Sequence, residues 1–256
     1  MTAPATPLEM LEAVCAVARP RVLVVHAHPD DETVQTGGLM ASLARNTHLI
    51  LATCTRGEAG EIVPGILPEG FTETEYVAKR EHELAEACSA LGIQERYFLG
   101  MPPARAGRLL RRDYRDSGMR WVREGLAGPA DGTDPRTFTS AQLEEEVADL
   151  LALIRATSPD VILGYDREGS YGHPDHIRAH ELAAAAASAA DLPLVEIASA
   201  DEAPEFSWFD LSSRKAEAVA ALGCHATQLR VVNQEIVHVG GQHQRLPLRS
   251  GLRLVH

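Results

Sequence analysis

The stretch HAHPDDE, residues 26–32, contains two histidines and three carboxylates and follows an apolar run. His28 and Asp31 are three positions apart at the predicted start of a helix, so both side chains can point to one side of its first turn. Imidazole and carboxylate groups at this spacing are suited to binding a divalent metal ion or to acid–base chemistry. Taken alone, a histidine after a strand is more often a hydrogen-bonded polar residue or a helix cap than a ligand.

A second cluster, YGHPDH at residues 171–176, repeats this spacing through His173 and His176. Two imidazoles and one carboxylate form the usual open set for a catalytic divalent metal, and His28, Asp31 and His176 supply that set. If the two clusters meet, their acids and imidazoles would repel or desolvate one another unless a cation absorbed the charge. The pair of motifs therefore predicts a metal site.

Three apolar runs, residues 21–27, 48–55 and 160–165, predict strands, and helical patterns separate them. Strands alternating with helices predict a doubly wound, mostly parallel, Rossmann-like α/β sheet with helices on both faces. Ligands in such sheets bind beyond the carboxyl ends of the strands, which is where both clusters lie. We expect one domain over residues 1–256, closed by a C-terminal strand pair with its turn near Gly240–Gly241.

Capping signals set the expected helix ends. A helix over residues 72–92 should begin with the capping box of Thr72 and Glu75 and end at Gly92. The same spacing of Thr139 and Gln142 predicts a capping box for a helix over residues 139–159, and residues 33–46 predict a further helix after the first strand.

The net charge of −12 makes nucleic acid and anionic membranes poor partners. The arginine-rich segment 105–123 is an exception, which we interpret as a solvated helical face or flap; an anion-recognising lid is the alternative.

Four scattered cysteines indicate reduced thiols. With no secretory signal and no long apolar run, we expect a cytoplasmic protein without membrane insertion, and nothing indicates an oligomeric state.

The motifs HAHPDDE, TCTRGEAGE, YDREGSYGHPDH and HATQ resemble those of the zinc-dependent LmbE-like, or PIG-L, N-deacetylases over most of residues 22–228. Within that family, YRDSGM at residues 114–119 and the YGHPDH form are most similar to the N-acetylglucosaminyl-inositol deacetylases of mycothiol synthesis. The resemblance implies a hydrolase that removes the acetyl group of an N-acetylglucosamine-type amino sugar by attack of metal-activated water. Its partner would be a small amino-sugar substrate.

The resemblance also implies residue roles. His28, Asp31 and His176 would bind Zn²⁺, with Fe²⁺ as the alternative cation, and Asp30 would be the general base. His173 and Tyr171 match positions that stabilise the oxyanion or protonate the leaving amine, and our hypothesis is that Asp175 holds a protonated His173. The residues matching substrate contacts are Arg80, Asp116 and Glu61.

Alternatives remain at several positions. Arg80 could pair with acids on a solvated helix face, and Glu32 is better explained as an acid satisfying backbone N–H groups at a helix start. His225 and Gln228 of HATQ receive no role from the sequence. For the whole chain, a mycothiol S-conjugate amidase and a non-catalytic metal- or sugar-binding module are the rival functions. An iron oxygenase is disfavoured because Asp30 and His173 suit hydrolysis better.

Overall fold

A computed structural model describes residues 4–107, 109–130 and 134–255. Its centre is a seven-stranded sheet in the order β3-β2-β1-β6-β7-β12-β8. The strands are β1 (Arg21–His26), β2 (His48–Thr53), β3 (Glu95–Phe98), β6 (Val161–Tyr165), β7 (Leu194–Ile197), β8 (Ser207–Asp210) and β12 (Arg249–Val255). The first five in that order pair in parallel, and β12 runs antiparallel to both of its neighbours. The predicted fold class is confirmed.

Helices cover both faces of the sheet because successive residues of its central strands point to opposite sides. Val22 and Val24 of β1 pack in one core with α1 (Pro7–Cys15), α3 (Gly37–Leu43), α4 (Glu73–Leu91) and α7 (Lys215–Leu222). Leu23 and Val25 pack in a second core with α5 (Leu143–Thr157) and α6 (Pro174–Ala190). A strand buried on both faces explains the unbroken valine-rich run.

The helix ends test the capping predictions. In α4 both hydrogen bonds of the Thr72–Glu75 capping box are present, and Gly92 ends the helix at φ +77, as predicted. The box predicted at Thr139 is wrong: α5 begins after Gln142 with no side-chain cap, because Thr139 is hydrogen-bonded to Ser117 instead. The helix predicted over residues 33–46 is interrupted, giving the four-residue α2 (Asp31–Val34) and then α3.

The C-terminal region pairs as predicted but contains more strands than expected. Strands β9 (Leu229–Val232), β10 (Glu235–His238) and β11 (His243–Arg245) form an antiparallel sheet, with Gly240 and Gly241 between β10 and β11. The last stretch leaves this sheet and becomes β12 of the central one. The four cysteines are unpaired, as predicted. Among the described helices, none combines the length and the apolar character needed to cross a membrane.

The arginine-rich segment is not helical in its described part, so the helical face was wrong, and of the two forms predicted the flap remains. It ends in a hairpin of β4 (Met119–Arg123) and β5 (Leu126–Pro129), and Arg108 lies outside the described residues. Its buried anchor is Asp149 of α5, which contacts Arg105 at 2.9 Å and the Tyr114 hydroxyl at 2.9 Å. Arg112 pairs with Glu145 one turn earlier. These arginines fix the segment to α5.

Candidate metal centre and active site

His28, Asp31 and His176 meet at the carboxyl ends of the adjacent strands β1 and β6. The His176 Nε2 atom lies 3.3 Å from His28 Nδ1 and 3.3 Å from Asp31 Oδ1, and His28 Nδ1 lies 3.3 Å from Asp31 Oδ2. All three residues are buried. Ligand atoms at the corners of a tetrahedron around zinc, about 2.0–2.1 Å from the ion, are about 3.3–3.4 Å apart. The donor set and its spacing therefore fit a small divalent cation.

The other nitrogen of His28 faces two carboxylates. Its Nε2 atom lies 3.2 Å from Asp175 Oδ2 and 3.6 Å from Asp116 Oδ1. Burial alone would lower the pKa of His28, but Asp116 and the hydrogen bonds to Asp175 and Asp31 raise it well above its usual value. Carboxylates on the far side of a ligating imidazole orient the ring and increase its basicity. Without a cation, these carboxylates favour the protonated His28 ring. A cation bound at Nδ1 would take the place of one of the two ring protons and supply the positive charge instead.

Asp30 lies beside this cluster in an unusual backbone conformation. As the residue before α2 it has φ +122 and ψ −25, a region that residues other than glycine rarely occupy and that surrounding contacts must maintain. Its side chain is 19% exposed, so it can meet a ligand. Desolvation raises the pKa of Asp30 to about 6, although the Arg80 guanidinium acts in the opposite direction. A carboxylate with this pKa can accept a proton near neutral pH.

Arg80 of α4 holds the loop that carries Asp30. Its guanidinium donates to the carbonyls of Gly57 and Pro29, and Nη2 lies 3.2 Å from Asp30 Oδ2. The side chain is fully buried, which rules out the alternative of a solvated helix face. Gly57 has φ +66, and a Cβ there would overlap the guanidinium. The TRGEAGE motif thus carries a glycine that admits the arginine.

The HATQ segment proves to brace the same region, a role that the sequence did not reveal. His225 Nε2 lies 2.6 Å from Glu32 Oε1, and Glu32 Oε2 accepts the Asp30 N–H at 3.0 Å. Gln228 donates to the Tyr76 hydroxyl at 2.9 Å. Glu32 therefore does satisfy a backbone N–H at the helix start, as predicted. The only available signal was the charged and polar content of HATQ, since 193 positions separate His225 from Glu32.

His173 and Tyr171 lie on the second loop. His173 caps α6, its Nδ1 accepting the Asp175 N–H at 3.1 Å, which assigns the proton of the neutral ring to Nε2. Burial lowers the pKa of His173 to about 2, so the ring is neutral. The hypothesis that Asp175 holds a protonated His173 is wrong, because the Asp175 carboxylate contacts His28 instead. The Tyr171 ring centroid is 6.0 Å from His173 and 5.3 Å from His176.

Of the predicted substrate contacts, Asp116 is closest to the centre. It is nearly buried, and its Oδ1 also accepts the Gly118 N–H at 2.8 Å. Burial would raise its pKa, but the nearby His28 lowers it, so the group is ionised. Glu61 is exposed, and the acid of that loop that approaches Asp116 is Glu58, whose Oε2 accepts the Asp116 N–H at 3.2 Å. The structure therefore does not bring Glu61 to the site.

Two further features surround the cluster. The Tyr165 ring stacks on His176 with centroids 4.5 Å apart, and its hydroxyl accepts the Ala27 N–H at 3.2 Å. The only sequence signal for this role was the position of Tyr165 at the end of a strand.

A cavity of about 410 Å³ lies beside the cluster of His28, Asp31 and His176, and Asp116, which contacts His28, is one of its lining residues. Its other lining residues include Ser117, Thr139 and Pro174, so it is adjacent to the imidazoles rather than around them.

The fold recurs in solved structures of different activity. N,N'-diacetylchitobiose deacetylase from Pyrococcus horikoshii superposes with a TM-score of 0.57 at 20% identity, covering 84% of this chain and 72% of that one. GalB, the 4-carboxy-2-hydroxymuconate hydratase of Pseudomonas putida, gives a TM-score of 0.60 at 19% identity, covering 93% and 96%. The fold thus defines a class of α/β proteins that includes sugar deacetylases and a hydratase.

The sequence comparison is more specific. Residues 23–187 match the family described as PIG-L, GlcNAc-PI de-N-acetylase, and the chain belongs to this family. The membership confirms the predicted family and enzyme class, a deacetylase acting on a C–N bond other than a peptide bond.

Curated relatives carry one name, 1D-myo-inositol 2-acetamido-2-deoxy-alpha-D-glucopyranoside deacetylase. The protein from Actinosynnema mirum is 35% identical over 249 residues, covering 84% of this chain and 82% of the relative. That from Thermobispora bispora is 36% identical over 257 residues, covering 82% and 80%. The match to Kineococcus radiotolerans reaches 42% identity over 166 residues but spans only 43% of that relative.

Proposed function

We propose that this chain is a zinc-dependent deacetylase that removes the acetyl group of an N-acetylglucosamine-type amino sugar, with the inositol glycoside named for its relatives as first candidate substrate. The observation that carries the proposal is the cluster of His28, Asp31 and His176 beside Asp30: the two ring nitrogens lie 3.3 Å apart, and each lies 3.3 Å from a different oxygen of the Asp31 carboxylate. A pure binding module would not need a partly exposed carboxylate next to its metal ligands.

We propose that His28, Asp31 and His176 hold the cation. Zinc, or ferrous iron as the alternative, would supply a Lewis acid that activates water at neutral pH. The proposal is supported by the 3.3 Å approach of the His28 and His176 nitrogens to each other and to the Asp31 carboxylate, and by Asp175, which can accept the Nε2–H of His28 and so leave Nδ1 to face the cation.

Asp30 would take the proton from the attacking water. Its position supports the role because Arg80 contacts one carboxylate oxygen while the side chain remains 19% exposed. Proton transfer needs the base within hydrogen-bond reach of the water, so a carboxylate held in a fixed orientation transfers the proton faster than a flexible one. Because both terminal nitrogens of Arg80 are engaged, with Asp30 and two loop carbonyls, and the side chain is buried, we propose Arg80 as a positioning residue rather than a sugar contact.

His173 and Tyr171 would act on the other side of the reacting amide. The neutral His173 ring carries its proton on Nε2 and can donate a hydrogen bond to the developing oxyanion. A neutral imidazole does not protonate an amine, so the departing amine would take the proton that Asp30 accepted from water. Burial raises the pKa of Tyr171, so its phenol keeps the O–H that an oxyanion requires. The ionised Asp116 carboxylate can accept hydrogen bonds from sugar hydroxyls.

Acetate release from candidate substrates tests the proposal directly. The purified protein would be incubated with GlcNAc-inositol, free GlcNAc and a mycothiol S-conjugate, before and after chelation, with zinc and ferrous iron added back. Chelator-sensitive acetate release from an N-acetyl sugar is expected, and the better restoring ion identifies the working metal. Cleavage of the S-conjugate without acetate release from any sugar would contradict the proposal in favour of the amidase.

We further propose that residues 1–256 act as one deacetylase domain in the cytoplasm. The two helical layers share one central sheet, and both site loops leave adjacent strands of it. Unpaired cysteines, two of them buried, are the form expected in a reducing compartment.

A further inference from the structure

We propose that Glu32 and His225 form a buried hydrogen-bonded pair whose function is to position Asp30; the inference rests on the proposed function, in which Asp30 is the base. Glu32 uses both carboxylate oxygens, one for the His225 ring at 2.6 Å and the other for the Asp30 N–H at 3.0 Å. The two side chains are 1% and 0% exposed. Because neither side chain can be reached by a substrate, the pair can influence the reaction only through Asp30.

Asp30 needs such support because of its backbone. A φ of +122 is unfavourable for any residue with a Cβ and persists only when neighbouring contacts impose it. Within α2, the N–H and hydroxyl of Thr33 and the N–H of Val34 donate to the Asp30 carbonyl, which leaves the Asp30 N–H to be held separately. The Glu32 carboxylate accepts that N–H, and His225 holds the carboxylate from outside the helix.

The restraint can be stiff because α4 anchors the segment that carries His225. Thr227 donates its N–H and hydroxyl to Glu83 of α4, at 3.2 and 2.5 Å. The same helix provides Arg80, which holds the Asp30 carboxylate from the other side. Asp30 is therefore fixed at its amide through Glu32 and at its carboxylate through Arg80.

Glu83 offers a matched control. Like Glu32 it is a fully buried acid that pairs with residues 225–228, but its recorded partners are Thr227 and Lys79 rather than Asp30. A purely structural role of Glu32 would make the two acids equivalent. A positioning role would separate them, because only Glu32 reaches the base.

The experiment compares Glu32→Leu, Glu32→Gln and Glu83→Leu by metal content, kcat, KM and amide exchange. Since misplacing a reacting group by about 1 Å can cost about 10²-fold, Glu32→Leu should lower kcat by roughly that factor with KM little changed. Glu32→Gln keeps an oxygen for the Asp30 N–H and should recover most of the loss. Glu83→Leu loosens the segment that carries His225 but leaves the Glu32–Asp30 hydrogen bond in place, so it should lower the melting temperature at least as much as Glu32→Leu and lower kcat clearly less.

Amide exchange of the peptide 28–34 gives a readout that needs no substrate. Exchange should be faster in Glu32→Leu than in both the wild type and Glu83→Leu, with zinc bound to all three, because only Glu32→Leu removes the hydrogen bond to the Asp30 N–H. Equal losses of kcat in the two leucine variants, or unchanged exchange in Glu32→Leu, would overturn the inference. If the wild type released no acetate from any sugar, the proposed function would fail while the exchange comparison still decided the positioning.

Discussion

The chemistry proposed for Asp30 predicts how activity depends on pH. Desolvation raises the pKa of Asp30 to about 6, and a base accepts a proton only when it is ionised, so kcat/KM should rise with pH through about 6. The Arg80 charge lowers that pKa, so Arg80→Gln should move the acid limb to higher pH. The pH profile of kcat/KM measures this shift. Arg105→Gln, which removes a buried arginine paired with Asp149, is the control and should leave the limb in place.

His173 has two roles that substitution can separate. As the cap of α6 its ring accepts a backbone N–H through Nδ1, and as the proposed hydrogen-bond donor to the oxyanion it uses Nε2. Asparagine can accept the same N–H but offers no imidazole, so His173→Asn should fold normally with kcat lower by about 10²–10⁴-fold. His173→Ala should in addition lose about 0.5–2 kcal/mol of stability by denaturant unfolding. An asparagine variant with wild-type kcat would exclude His173 from the reaction.

At this scale the sequence predicted which residues converge but not the partner of each one. His28, Asp31 and His176 could be grouped because their spacing and chemistry match a metal site. The partners of Asp175 and Glu32 could not be predicted, because the contacting His28 and His225 lie 147 and 193 positions away. A carboxylate accepts from whichever donor the fold brings near it, and local sequence does not encode that choice.

The order of the strands in the central sheet explains why two motifs that are distant in sequence share a site. Strands β1 and β6 are parallel neighbours, with Val25 opposite Gly164, so the loops that follow them leave the same edge of the sheet. The valine-rich runs and intervening helices made this arrangement predictable. The prediction of a capping box at Thr139 was wrong because the Thr139 hydroxyl donates to Ser117 instead of capping α5. Ser117 belongs to a segment whose path could not be predicted from the sequence.

The anchoring of the arginine-rich segment predicts a stability effect at α5. Asp149 is fully buried and accepts from Arg105, Tyr114 and the Ala106 N–H. Asp149→Leu would leave Arg105 paired with Glu145 but would remove the acceptor of the buried Tyr114 hydroxyl and of the Ala106 N–H, and each buried donor left unsatisfied costs about 1–3 kcal/mol. Denaturant unfolding measures this loss. Arg111→Ala, which removes an exposed pair with Asp113, should cost only about 0–1 kcal/mol, and equal losses in the two variants would refute the anchoring role.

For the whole molecule, the alternation of strands and helices was enough to predict a doubly wound sheet, and the family match supports the motifs that lie on its edge. The antiparallel end of the sheet was not predictable in detail, because β12 shares its alternating pattern with the strands of the small C-terminal sheet. Which strand such a segment pairs with depends on which sheet edges the rest of the chain leaves open, and the local sequence does not contain that information.

Metal titration of the demetallated protein tests the central claim, that His28, Asp31 and His176 form one cation site. The variants are His176→Gln and, as a control on the same helix, His180→Gln, whose ring contacts the Tyr165 carbonyl at 3.0 Å. The wild type and His180→Gln should each bind one tightly held zinc, and His176→Gln should bind it roughly 10²-fold more weakly or worse. A wild type without tight binding, or equal affinity in both variants, would contradict the account.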